Sequence, residues 1–194
     1  MRILLAHHAP PDTDLAGRQM LVLAGTLQAA GQEARILPIP DSDADRPFRR
    51  PSLTPNEDGG QDYCDLTSAD LAIHRQMLRR GLDQEVHQFN PHIIHCQHIW
   101  VLAHLALESG APYVITAHSA ELDALARDGR YSRFAHQAAE NAGRILVATT
   151  ELATRVGQVF PELKEGVVVI PPTSAARVIS VYEAVLRARG VTVD

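Results

Sequence analysis

Residues 2–39 read RILLAHHAPPDTDLAGRQMLVLAGTLQAAGQEARILPI, and this stretch decides the fold. Arg2–Ala6 is a short apolar run of strand type. His7–Asp14, with Pro10 and Pro11 inside it, is a loop. A helix is predicted from about Gly17 to Ala30, because Met20, Leu21, Leu23, Ala24 and Leu27 lay an apolar stripe along it. Gly31 stands where a helix-ending glycine belongs, and Ala34–Ile39 is a second strand. Strand, loop, helix and strand in so short a stretch make a βαβ unit.

The alternation continues down the chain. Helices are predicted at Ala69–His87 (with Ser68 as N-cap), Ile99–Ser109, Arg130–Asn141, Glu151–Phe160 and Ala175–Arg189. Strands are predicted at Pro91–Cys96, Tyr113–Thr116, Arg144–Ala148 and Gly166–Ile170. Several strands are unbroken apolar runs, as strands covered on both faces must be. The expected fold class is α/β: a single Rossmann-like, doubly wound parallel sheet with helices on both faces. Ligands of such sheets bind at the carboxyl ends of the strands.

The 194 residues suit one domain, and 45% apolar with 21% charged is ordinary globular composition. No apolar run is long enough to span a membrane, and the N-terminus has no signal h-region, so a cytoplasmic protein is expected. Cys64 and Cys96 share no motif and fit a reducing compartment. The net charge of −5 is concentrated between Asp41 and Asp70, where eight acids face three bases. Residues 40–68, rich in proline and acid, read as one long surface loop. No basic stripe exists to meet a phosphate backbone, so nucleic acid is not an expected partner.

Chemistry is sought at the strand ends. The first strand is followed by His7, His8 and the segment Asp14-Leu15-Ala16-Gly17-Arg18, which either offers helix N-terminal amides to a phosphate or is a plain turn. The third strand carries His92, His95, Cys96 and His98. These do not make a metal site: His92 precedes the strand, and His95 and His98 face different ways, so no metal and no cofactor are expected. The fourth strand ends at His118, with Ser119 as a possible cap, and the fifth at Thr149-Thr150, which would also serve as an N-cap. The chain has no G-x-S-x-G elbow, no phosphate-loop lysine motif and no G-x-G-x-x-G fingerprint.

Five segments in order carry a resemblance. They are Met1–Ala6 with Ala16-Gly17, Leu27–Ala34, Asn90–His98, Ala111–His118 with Glu121-Leu122, and Val167–Pro172. Together they resemble the N-terminal, acceptor-side domain of the retaining GT-B glycosyltransferases of family four. The resemblance implies a sugar acceptor and a nucleotide-sugar as ligands. It places Ala16, Gly17 and Arg18 on the donor phosphate and His118 on the donor sugar as the catalytic residue. A neutral His118 would hydrogen-bond a sugar hydroxyl near the reacting carbon. His8, His98, Trp100, Glu121 and Thr149 become acceptor or sugar contacts, with the acidic loop beside them.

The pattern departs from the family at Pro172. There the family continues into a second domain of comparable size that holds most of the nucleotide-sugar site. Here Pro171–Ser174 runs directly into a helix that resembles the family's last one, which returns to pack on the first domain. The expected organisation is therefore residues 1–172 as the Rossmann-like domain and 173–194 as the returning helix, with a separate C-terminal domain as partner. The expected function is the acceptor-binding half of a transferase, inactive or very weakly active alone. A non-enzymatic α/β binding or scaffold domain and an unrelated small α/β hydrolase are the alternatives.

Overall fold

The N-terminal βαβ unit forms as the periodicity requires. In the computed structural model, which describes residues 1–12, 14–39, 51–52, 61–171 and 174–192, it comprises β1 (Arg2–Ala6), α1 (Leu15–Ala29) and β2 (Glu33–Ile36). Helix α1 begins earlier than the apolar stripe suggests, because Asp14 is a better cap than anything after it. Its extended backbone (φ −143°) lets Oδ1 accept the Gly17 N–H at 2.7 Å. Gly31, at φ +79°, follows the helix in the left-handed conformation that glycine tolerates.

The remaining elements are the two-residue strands β3 (Pro51–Ser52) and β4 (Gln61–Asp62), then α2 (Ser68–Phe89), β5 (Ile93–Gln97), α3 (Leu102–Ser109) and β6 (Tyr113–Thr116). They continue with α4 (Ser119–Arg127), α5 (Ser132–Asn141), β7 (Ile145–Val147), α6 (Thr150–Val159), β8 (Val167–Val169) and α7 (Ala175–Ala188). Six strands form one parallel sheet in the order β2-β1-β5-β6-β7-β8, and β3 pairs with β4 apart from it. The chain winds outward in one direction from β1 to β2 and in the other from β5 to β8. The order therefore reverses between β1 and β5.

Alternate residues of each strand face two separate cores. Leu4, Ala6, Ile94, Cys96, Ile115, Ile145 and Val147 pack under α2, α3 and α5. Ile3, Leu5, Ile93, Val114 and Leu146 pack under α1 and α7 through Met20, Leu23, Leu27, Val178, Tyr182, Val185 and Leu186. The sheet is doubly wound and Rossmann-like, as its apolar runs required.

Helix α7 is tied to the sheet by more than apolar contact. His95, on β5, lies between the Tyr182 hydroxyl (Nδ1, 2.6 Å) and Thr116 Oγ1 (Nε2, 2.6 Å). Burial pushes the His95 pKa down to about 3, so the ring is neutral, with one nitrogen donating and the other accepting. At Gly143, where α7 crosses, a Cβ would stand 2.4 Å from a Val185 methyl.

The surface-loop reading of residues 40–68 fails at its C-terminal end. Tyr63 and Leu66 are core residues, with Tyr63 fully buried against Trp100 and Tyr131. Its hydroxyl is 2.7 Å from His74 Nε2, and its carbonyl accepts from the Tyr131 hydroxyl at 2.5 Å. An aromatic ring buries enough area to hold a segment that net charge alone would leave in solvent. Asp62, from the acidic run, accepts from Arg127 at 3.0 Å. Residues 40–50 and 53–60, with acids Asp41, Asp43, Asp45, Glu57 and Asp58, lie outside the described residues.

Two substitutions test this packing. Tyr182→Phe leaves His95 Nδ1 buried without a partner and is expected to cost about 1–2 kcal/mol. Urea unfolding would show this as a lower midpoint at unchanged slope. Gly17→Ala puts a Cβ 2.4 Å from Pro11 O and 2.7 Å from Pro11 C and Cα, all backbone atoms that cannot swing aside. It is expected to destabilise by about 1–3 kcal/mol, measured as a fall in Tm.

Candidate active site

A cavity of about 370 Å³ opens over the carboxyl ends of the strands. Its floor is Gln97 and His98 after β5, Thr116–His118 after β6, Val147-Ala148 after β7 and Ile170-Pro171 after β8. Its rim is the first turn of α1 (Asp14, Leu15, Ala16) with Ser119 and Ala120 of α4. This is where a doubly wound sheet binds ligands, since the loops there are free to diverge while the strands hold them in place.

The turn after β5 is strained. His98 has φ +83° and Val101 φ +55°, and a β-branched residue rarely occupies that region. These two residues also explain why α3 starts at Leu102 rather than at Ile99. Helix α4 has no counterpart in the sequence reading, and its first residue is Ser119, with His118 rather than Ser119 at the N-cap. Its anchor is Glu121, which is fully buried. One carboxylate oxygen accepts the His118 N–H at 3.0 Å. The other accepts the Ile99 N–H at 3.0 Å and lies 2.8 Å from His98 Nδ1.

His118 is half-buried and lines the cavity. Its Nε2 lies 3.0 Å from Gln97 Oε1, a carbonyl oxygen that can only accept. The proton is therefore on Nε2, and Nδ1 faces the Glu121 N–H in the capping box that opens α4. Burial lowers the His118 pKa, with Glu121 opposing, so the ring is a neutral hydrogen-bonding group rather than a cation.

The other expected site residues fall into three places. Ala16 and His98 line the cavity with His118. His8 is buried behind His98, the rings 4.4 Å apart, and Glu121 lies beneath both His98 and His118. Trp100, expected in the cleft, is instead a core residue with its ring 4.1 Å from that of Tyr131. Arg18 is exposed and reaches the Asp12 carbonyl at 3.3 Å. Thr149 caps α6 by accepting the Leu152 N–H at 3.1 Å.

Gly17, expected to present its amide to a phosphate, has that amide engaged by Asp14. An anion there would also meet the Asp14 carboxylate. Burial works against ionisation of Asp14, but the hydrogen bond and charge of His7 and the Gly17 amide outweigh it and hold the carboxyl well below its usual range. The glycine is required instead because the Pro11 backbone crosses the helix start.

Gln97 is the site residue that the sequence did not single out, while His7 and Asp14 were placed after the first strand without a role. His7 Nε2 is 3.3 Å from Asp14 Oδ2, and the His7 ring stacks on His8 at 4.9 Å. The adjacent pair His7-His8 at a strand exit was the available signal. The four strand-three residues weighed together for metal do separate. His92 Nδ1 accepts the Arg2 N–H, His95 bonds Tyr182 and Thr116, Cys96 is in the core, and His98 alone reaches the cluster.

Burial gives the site a definite pH dependence. The pKa values of His8, His98 and His118 are lowered, that of His74 to about 4 and that of His95 to about 3, all first by desolvation. Below pH 6.5 the unfolded chain takes up protons that the folded chain refuses, so stability is lost as pH falls. Glu121 acts oppositely. Burial raises its pKa from 4.5 to about 7, so its contribution weakens as pH rises across that interval. The histidines outnumber it. Urea unfolding is expected to show stability falling from pH 6.5 to 5 by on the order of 1 kcal/mol per unit for each buried histidine. A flat profile would contradict neutral burial of these rings.

Residues 16–173 match the family model of Glycosyltransferase Family 4. Sucrose-phosphate synthase from Thermosynechococcus elongatus shares the fold over 88% of this chain, with TM-score 0.64 and 17% identity. The chain spans 48% of that structure, about half its length. A second structure of the same enzyme, designated with the numbers 27, 220, 406 and 426, matches over 95% of this chain and 98% of its own, with TM-score 0.60 and 17% identity. No curated protein matches the sequence. The family match covers well over half of the 194 residues, and the chain belongs to Glycosyltransferase Family 4.

Proposed function

We propose that this chain is the acceptor-side half of a glycosyltransferase cleft and transfers sugar weakly or not at all by itself. The observation that carries the reading is the cavity, which lies on the strand ends of a family-four domain with His118 on its wall. In this reading the neutral His118 ring hydrogen-bonds a donor-sugar hydroxyl that displaces one of its present partners, and Gln97 and the start of α4 hold the ring in place. Ala16, Ser119 and Ala120 border the donor, and His98 borders the acceptor. Glu121 acts through His98 and His118 rather than by touching substrate.

Helix α7 is read as the family's returning helix. Between β8 and α7 the chain has only residues 170–174, and α7 covers one face of the sheet together with α1. The four numbers that designate the second sucrose-phosphate synthase structure suit a long segment joined to a short, distant one, which supports the same organisation here. Transfer depends on stabilising the leaving nucleotide and positioning both substrates. One wall of a cleft supplies little of either.

Isothermal titration of the 194-residue chain with UDP-glucose, ADP-glucose and GDP-mannose tests the reading. Binding weaker than about 100 μM is expected, and His118→Ala should weaken any measurable binding further. A Kd below about 10 μM, or sugar transfer by the chain alone, would overturn the half-cleft assignment.

A further inference from the structure

Three imidazoles converge where the strand order reverses. His7 and His8 leave β1 and His98 leaves β5, and they are 1%, 3% and 3% exposed. One nitrogen of each lies within 4.8 Å of one nitrogen of both others. Their ring centres are 4.4 to 5.4 Å apart.

The tautomers point the same way. His98 Nδ1 is 2.8 Å from a Glu121 oxygen that already accepts the Ile99 amide, and His7 Nδ1 is 2.7 Å from the Ala9 carbonyl. His98 Nδ1 therefore donates to the ionised carboxylate, while His7 Nδ1 lies against both the Ala9 carbonyl and the Ala9 N–H (3.3 Å). His98 Nε2 is left as a lone pair, and among the described residues no hydrogen-bond partner reaches it or His8 Nε2, although both are buried. Buried polar atoms without partners are uncommon, and two on neighbouring rings need a reason. His7 Nε2 has Asp14 Oδ2 at 3.3 Å. Histidines that bind metal hold their second nitrogen in this way, donating to a carboxylate or a backbone carbonyl.

We propose that His7, His8 and His98 bind a divalent cation of the zinc class, with the Asp14 carboxylate, which now lies against His7 alone, moving in as fourth ligand. Neutral imidazoles and one carboxylate favour zinc, cobalt, nickel or copper over magnesium and calcium. Tetrahedral ligation needs nitrogens about 3.3 Å apart, so the rings close by roughly an ångström from their present spread. The ion would sit behind the cavity floor, since His7 and His8 do not line it, and would pin the exits of β1 and β5 together. This site is independent of the sugar-transfer reading.

The test uses metal-stripped, untagged 194-residue chain titrated with Zn²⁺ and, separately, with Co²⁺ and Mg²⁺. One Zn²⁺ per chain with a Kd of about 10 μM or tighter is expected, together with a visible absorption spectrum of tetrahedral cobalt and no response to Mg²⁺. His8→Ala and His98→Gln should each weaken Zn²⁺ binding about 100-fold, and Glu121→Gln about 10-fold. His136→Ala should leave it unchanged, which separates the site from the surface group His136, Glu140 and Glu162. Sub-stoichiometric or weaker binding, loss in His136→Ala, or retention in both His8→Ala and His98→Gln overturns the proposal. So does octahedral cobalt in the parent chain, a readout that stands even if a variant fails to fold.

Discussion

One buried carboxylate holds the candidate site in shape. Glu121 is sealed from solvent, yet its two oxygens engage two backbone amides and one imidazole, from the turn after β5 and from the start of α4. Burying such a group is costly unless its hydrogen bonds are met, and here they are. A single side chain thus fixes the relative position of two neighbouring strand exits, the first turn of a helix and the orientation of His98. The cavity wall, the tilted contact of His98 with His118 at 4.9 Å between ring centres and the three-histidine cluster all follow from that arrangement.

The sheet supplies the rest. Its parallel strands end together on one edge, and the order reversal leaves a gap there between β1 and β5 that side chains from both must fill. Histidines fill it. The opposite, apolar side of the design is the pair α1 and α7, which share one core with five strand residues. The His95 hydrogen bond to Tyr182 places a polar anchor inside that otherwise apolar layer. Among the described residues no helix is long and apolar enough to cross a membrane.

Much of this was legible in the sequence, because unbroken apolar strands and an amphipathic helix leave few alternatives to a covered parallel sheet. The βαβ unit and the positions of His8, His98 and His118 at strand exits followed directly. What escaped was set by tertiary contacts. Helix α4 is short, and its anchor is a charged residue buried against another strand's exit, which no periodicity reveals. Tyr63 looked like loop because its neighbours are acidic, while the hole it fills is built by Trp100 and Tyr131. Gly17 resembled a phosphate contact, but its small size answers a clash with Pro11. His7 and Asp14 gain meaning only once β1 and β5 stand side by side.

The backbone at His98 has an evolutionary corollary. At φ +83° glycine would be free of the steric penalty that a histidine bears, and asparagine would bear less of it. Random drift at that codon should therefore tend toward glycine or asparagine wherever the imidazole is idle. Relatives that keep the strained turn can be sorted by this residue alone. A histidine there would mark a ring in use at the β1–β5 junction, and a glycine a fold kept without that ring.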